Sequence, residues 1–112
     1  MPINHPEFGS NTLQAVFSRY PRRATATLNL MADVMAPNDA LSSQDKELIF
    51  SYCSYLNACS YCFDSHKAVA AAYGADAEIL QQLAEDIEGA DIPAALKQAM
   101  KFVKKLTETP SK

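Results

Sequence analysis

Glycine is scarce in this chain of 112 residues, which holds only Gly9, Gly74 and Gly89. A dinucleotide fold or a P-loop NTPase needs a glycine-rich turn to bring its backbone onto a pyrophosphate, and three isolated glycines cannot build one. Positive charge is short as well. Ten Lys and Arg stand against thirteen Asp and Glu, for a formal charge of −3, which is not the basic footprint of a nucleic-acid binder. Long apolar runs are missing. The longest, Ala68 to Tyr73, falls far short of the roughly 20 residues that span a bilayer. Met1 to Ser10 has neither a basic stretch nor an apolar one, so no signal peptide is expected. The reading is therefore a cytoplasmic chain with neither a membrane nor a nucleic acid as partner. Disulfide-framework cysteines are also lacking. Only Cys53, Cys59 and Cys62 are present, an odd number with two spaced C-x-x-C. That fits a reducing compartment, where such a pair is redox-active or binds metal.

What is present is apolar and helical. The hydrophobic fraction is 48%, enough for a globular core, and the length predicts one domain over residues 1–112. β-branched residues are sparse and no stretch alternates cleanly, so the expected class is all-α, with about six helices. Residues 1–9, with Pro2 and Pro6, read as an extended arm. A short helix is expected from Ser10 or Asn11, carrying Leu13, Val16 and Phe17. Pro21 opens a second, in which Ala24, Leu28, Met31 and Met35 share a stripe, and Pro37 ends it. Ser42, with Asp45 three residues on, caps a third whose apolar face is Leu48, Ile49, Tyr52, Cys53 and Leu56. Asn57 is expected to break that helix in a left-handed conformation. A fourth runs from about Cys59 to Tyr73 and stops at Gly74. Asp76 caps a fifth carrying Ile79, Leu80, Leu83 and Ile87, ended by Gly89. Asp91 and Pro93 open the last, with Leu96, Ala99, Met100 and Val103 inward and Lys97, Lys101, Lys104 and Lys105 toward water.

One segment carries chemistry: Cys59-Ser60-Tyr61-Cys62-Phe63-Asp64-Ser65-His66. At about 100° per residue, Cys59 and Cys62 lie about 60° apart around a helix, and Cys62 and His66 about 40°. Both sulfurs and the imidazole therefore share one stripe, continued by Val69 and Tyr73, which predicts a buried or cleft-lining face. Asp64 points away toward solvent. An i, i+3 pair on a helix has its Cα atoms about 5 Å apart, within disulfide range, so the two cysteines can cycle between dithiol and disulfide. Free N–H groups at a helix start favour a thiolate, and His66 can exchange a proton with a sulfur or a leaving group. Three other readings of the same residues stand open at this point. The cysteines can be structural. His66 can be a satisfied core histidine. The set can hold zinc, with a fourth ligand from Cys53, His5 or a carboxylate. Cys53 itself, beside Ile49 and Leu56, reads as an inert core cysteine. Glu47, in the first turns of its helix, reads alone as a surface residue. Its face, however, carries only Ser51, Ser54 and Ala58, room enough for a helix returning antiparallel after Asn57, which would set Cys62 and His66 beside it.

Glu47 followed twelve residues later by Cys59-x-x-Cys62-x-x-x-His66 resembles the AhpD-like alkylhydroperoxidase core of the carboxymuconolactone decarboxylase-like superfamily. Leu41-Ser42 ahead of a glutamate-bearing helix, Asn57-Ala58-Cys59-Ser60-Tyr61-Cys62 and Gly74 extend the likeness, which covers about residues 41–83. The resemblance implies a compact all-α bundle and a peroxidase or disulfide-reductase activity. It also implies a homo-oligomer, often a trimer or hexamer. It makes Cys59 and Cys62 the redox pair, and His66 and Glu47 the proton relay. One departure is Tyr61, where some members carry a histidine before the second cysteine.

The expected reaction is reduction of an organic hydroperoxide by the dithiol, with no cofactor beyond the Cys59–Cys62 pair and a separate dithiol or disulfide reductant protein to restore it. The alternative is a redox adaptor or sensor that exchanges disulfides with a partner protein. Lactone decarboxylation, which gives the superfamily its name, does not depend on a C-x-x-C pair.

Overall fold

The computed structural model describes residues 13–38, 40–76 and 78–112. The described residues form six helices: α1 (Leu13–Arg19), α2 (Pro21–Met35), α3 (Ser43–Leu56), α4 (Ser60–Ala72), α5 (Glu78–Glu85) and α6 (Ala94–Glu108). There is no strand among the described residues, so the all-α expectation holds. The extended arm at 1–9 and the helix start at Ser10 or Asn11 lie outside the described residues. The helices fall into two compact units, Met1–Ala36 and Pro37–Lys112.

In the first unit α1 packs on α2. Pro21 stands at the start of α2, where its missing N–H costs no hydrogen bond. Thr25 and Thr27 return their hydroxyls to the carbonyls of Pro21 and Arg23, at 3.0 and 2.8 Å. Of the expected stripe, Ala24 is buried and Met31 and Met35 half-buried, but Leu28 is exposed. Among the described residues of its own unit, α1 is the one helix that α2 packs against.

The second unit is built around α3, which packs most extensively on α4 and also meets α6 and α5. Its start is a full capping box: the Asp45 N–H donates to Ser42 Oγ and the Ser42 N–H to Asp45 Oδ2, both at 3.1 Å. Leu48 and Tyr52 of α3 join Ala70, Leu80, Leu83, Ala90, Leu96 and Met100 in the core, and each large apolar side chain sealed there contributes about 1.5–3 kcal/mol. The predicted inward faces of α3, α5 and α6 are therefore the observed ones.

Two expectations about this unit need correction. α5 ends at Glu85, not at Gly89. The Asp86 carboxylate accepts the Glu88 N–H at 3.1 Å and diverts the backbone into a turn, because a short acidic side chain offers the chain an alternative to the helix. Lys97 and Lys101 do not simply face water. Lys97 Nζ donates to the Glu88 carbonyl at 2.7 Å and Lys101 pairs with the Glu88 carboxylate, so the two lysines tie α6 to that turn. Lys104 and Lys105 are exposed as expected. No helix among the described residues is long and apolar enough to cross a membrane.

Candidate redox site

The site is set by how α3 ends and α4 begins. The Ala58 N–H bonds to the Tyr55 carbonyl at 3.0 Å and the Cys59 N–H to the Ser54 carbonyl at 2.9 Å. These are the two bonds of a Schellman motif, which closes a helix through one left-handed residue. That residue is Ala58, at φ 56°, whereas Asn57, the expected breaker, sits at φ −87°. The motif repeats at the end of α4, with Gly74 at φ 98° and bonds from Gly74 N–H to the Ala71 carbonyl and from Ala75 N–H to the Ala70 carbonyl, both 3.0 Å. Glycine accepts that geometry without strain. An alanine there costs roughly 1–2 kcal/mol in steric conflict between Cβ and the next carbonyl.

The tight closure makes Cys59 the N-cap of α4 rather than a residue of its first turn. Its sulfur accepts the Cys62 N–H at 3.4 Å. Cys59 and Cys62 are joined as a disulfide, with Cα atoms 5.4 Å apart, close to the spacing predicted for an i, i+3 pair. Both cysteines are half-buried, and Tyr61 between them is 63% exposed.

α4 runs back along α3. Near its start Cys59 follows the end of α3 directly, His66 in its middle meets Glu47, and Tyr73 at its end accepts a hydrogen bond from Gln44 Nε2 at 3.0 Å. The antiparallel return is therefore the expected one. Small side chains permit the approach. Ser51 and Ser54 are buried on the Glu47 face, and their hydroxyls donate to the carbonyls of Glu47 and Phe50 at 2.8 Å, so no polar group is left unpaired. Ala58 is not part of that face but of the turn.

Glu47 is buried, at 8% exposure, and the reading of it as a surface glutamate does not hold. Its Oε2 lies 2.6 Å from His66 Nδ1, a short charge-assisted contact. An ionised Glu47 holds the ring with Nδ1 as donor and leaves Nε2 as the atom that exchanges protons. The ring is partly open to solvent, so a proton can reach it. Phe50 packs against the imidazole with ring centroids 4.9 Å apart. Sequence reasoning missed Phe50, although it stands three residues after Glu47 on the same helix, where neighbouring side chains meet one face.

Asp64 is exposed, as expected. Val69 and Tyr73, expected to line a cleft, are 41% and 56% exposed, and the buried residue of α4 is Ala70. The helix thus turns its cysteine stripe partly toward solvent beyond His66. Cys53 is half-buried on α3 as a free thiol. It accepts a hydrogen bond from Asn57 Nδ2 at 3.5 Å and lies 3.9 Å from Thr107 Oγ1. His5 is outside the described residues. Among those described, no cluster of three or more His, Cys, Asp or Glu is placed to hold a metal ion.

A chain that places a dithiol pair at a helix start and a carboxylate-bound imidazole one turn farther along has the parts for thiol redox chemistry coupled to proton transfer. A family model, that of the carboxymuconolactone decarboxylase family, matches residues 21–105. No curated protein and no solved structure matches.

Proposed function

The chain belongs to the carboxymuconolactone decarboxylase family, and from that premise we propose that it is a thiol-dependent peroxidase that reduces organic hydroperoxides through Cys59 and Cys62, with His66 and Glu47 as proton relay. The observation that carries the reading is the short contact between Glu47 of α3 and His66 of α4, the helix whose start holds the bonded cysteine pair. A structural disulfide needs no such acid–base pair. Lactone decarboxylation, the reaction in the family's name, would leave the cysteine pair without a role.

In the reduced chain the Cys62 thiolate attacks the outer oxygen of the hydroperoxide. The O–O bond breaks, and the leaving alkoxide departs as the alcohol with the proton that His66 Nε2 took from the Cys62 thiol when the thiolate formed. Cys62 is then a sulfenic acid. Cys59 attacks that sulfur, the disulfide forms and water leaves. A dithiol protein finally exchanges with the disulfide, becoming oxidised as the pair is reduced. Cys62 is the better attacker because His66 stands one helical turn from it. Cys59, at the N-cap, is the better leaving sulfur in the exchange, since helix-terminal N–H groups stabilise a thiolate. No cofactor is needed beyond the two sulfurs, and the cytoplasm supplies reducing partners.

A homo-oligomer, trimer or hexamer, belongs to the same proposal. Leu30 and Phe102, each 62% exposed, are apolar surface that further copies would cover. The prominence of Tyr61 beside the pair favours a second reading, a redox adaptor that docks a partner protein and exchanges disulfides with it. Turnover separates the two. With cumene hydroperoxide and excess dithiothreitol, a peroxidase consumes peroxide far faster than dithiothreitol alone, and Cys62→Ser abolishes the gain. A rate no greater than that of the free thiol leaves only the adaptor.

A further inference from the structure

All three arginines of the chain, Arg19, Arg22 and Arg23, fall within five residues at the junction of α1 and α2, and no acidic residue occurs between Glu7 and Asp33. With Tyr20, Pro21 and Ala26 they line a pocket of about 600 Å³ that is open to solvent. The guanidinium carbons of Arg19 and Arg23 lie 5.5 and 5.1 Å from the centroid of one ring, that of Tyr20. Among the described residues no carboxylate pairs with any of the three.

This arrangement breaks three local rules at once. Like charges are gathered on one ring. Among the described residues no carboxylate pairs with them. Two of them occupy the first turn of α2, where the helix dipole disfavours cations and no acid is present to offset them. Such conflicts collect at functional sites. A bound oxyanion removes all three, and guanidinium groups are suited to carboxylate and phosphate because they donate in parallel pairs.

We propose that Arg19, Arg22 and Arg23 form a binding site for the oxyanion group, carboxylate or phosphate, of a small molecule. The site is independent of the redox reading, since its arginines lie on other helices and its test reads binding alone.

Titration calorimetry of the full chain at fixed ionic strength tests it, with inorganic phosphate in one arm, succinate in a second and sodium chloride as reference. The expected result is saturable binding in the millimolar range or tighter in at least one of the first two arms, despite a net charge of −3 on the chain. The arm that binds names the source, phosphate or carboxylate. Arg22→Gln and Arg23→Gln should each weaken binding about tenfold or more. Arg23→Lys keeps the charge but loses the paired donors, and should also weaken it if a glutamine variant fails to fold. Heats no different from sodium chloride, or binding unchanged in folded variants, overturn the proposal.

Discussion

At the scale of single residues, the account turns on Glu47. A buried carboxylate 2.6 Å from an imidazole orients that ring. Glu47→Gln keeps the size and a hydrogen bond but loses the charge. It is expected to lower peroxide turnover by about 100-fold or more, as removal of general acid–base assistance does, with the far-ultraviolet circular dichroism unchanged. Steady-state rates at several pH values check this, and turnover within about threefold of the parent would contradict it. The pairing was legible in the sequence only in part. Helical spacing put both cysteines and His66 on one stripe, and small residues on the Glu47 face left room for a neighbour. Spacing alone still read Glu47 as exposed, because a glutamate near a helix start is favourable whether or not it has a partner. The motif shared with the AhpD-like family supplied what periodicity could not. Phe50 escaped notice for the opposite reason: an aromatic at helical spacing reads as ordinary core.

At the scale of the element, the decisive feature is the link between α3 and α4. The same Schellman bonds close α3 at Ala58 and α4 at Gly74. Gly74 was legible as a helix end because glycine is the residue that geometry prefers. Ala58 was not, because nothing in an alanine announces a left-handed backbone, and Asn57 beside it is the more usual occupant. Tertiary demand decides the matter: the chain must leave α3 at Leu56 and cap α4 at Cys59 with only Asn57 and Ala58 between them. Ala58→Gly is accordingly expected to stabilise the chain by about 1 kcal/mol, the relief of Cβ strain less the glycine's extra freedom when unfolded. Urea unfolding measures it, and a fall in midpoint would show that Ala58 is unstrained. α5 teaches the same lesson. Its apolar spacing ran on to Ile87, and Ile87 does pack on the core, yet Asp86 had already diverted the backbone. Periodicity reports which side chains face inward, not where the hydrogen bonds stop.

At the scale of the whole molecule, charge and burial couple the site's scaffold to pH. Tyr52, at the centre of the core, has its phenol pushed above the usual 10.0 by burial, with the Glu108 carboxylate and Tyr55 adding to the effect. Below about pH 10 the phenol is protonated in both folded and unfolded chains and adds no slope. Above that, the unfolded chain loses the proton first and the folded chain still holds it, so stability falls as pH rises. Tyr52→Phe removes this contribution. Its urea midpoint should fall less steeply than the parent's between about pH 9 and 11, and parallel profiles would refute the assignment. Charge is also uneven along the chain. Residues 1–36 sum to +1 and residues 37–112 to −4, so the arginine cluster sits in the part of the chain whose net charge is positive. A count of free thiols tests all three sulfurs together. One equivalent of cumene hydroperoxide added to the fully reduced protein should remove two thiols, link Cys59 to Cys62 and leave Cys53 free. Oxidation that consumes Cys53, or that runs no faster than in an unfolded sample of the same chain, would contradict it.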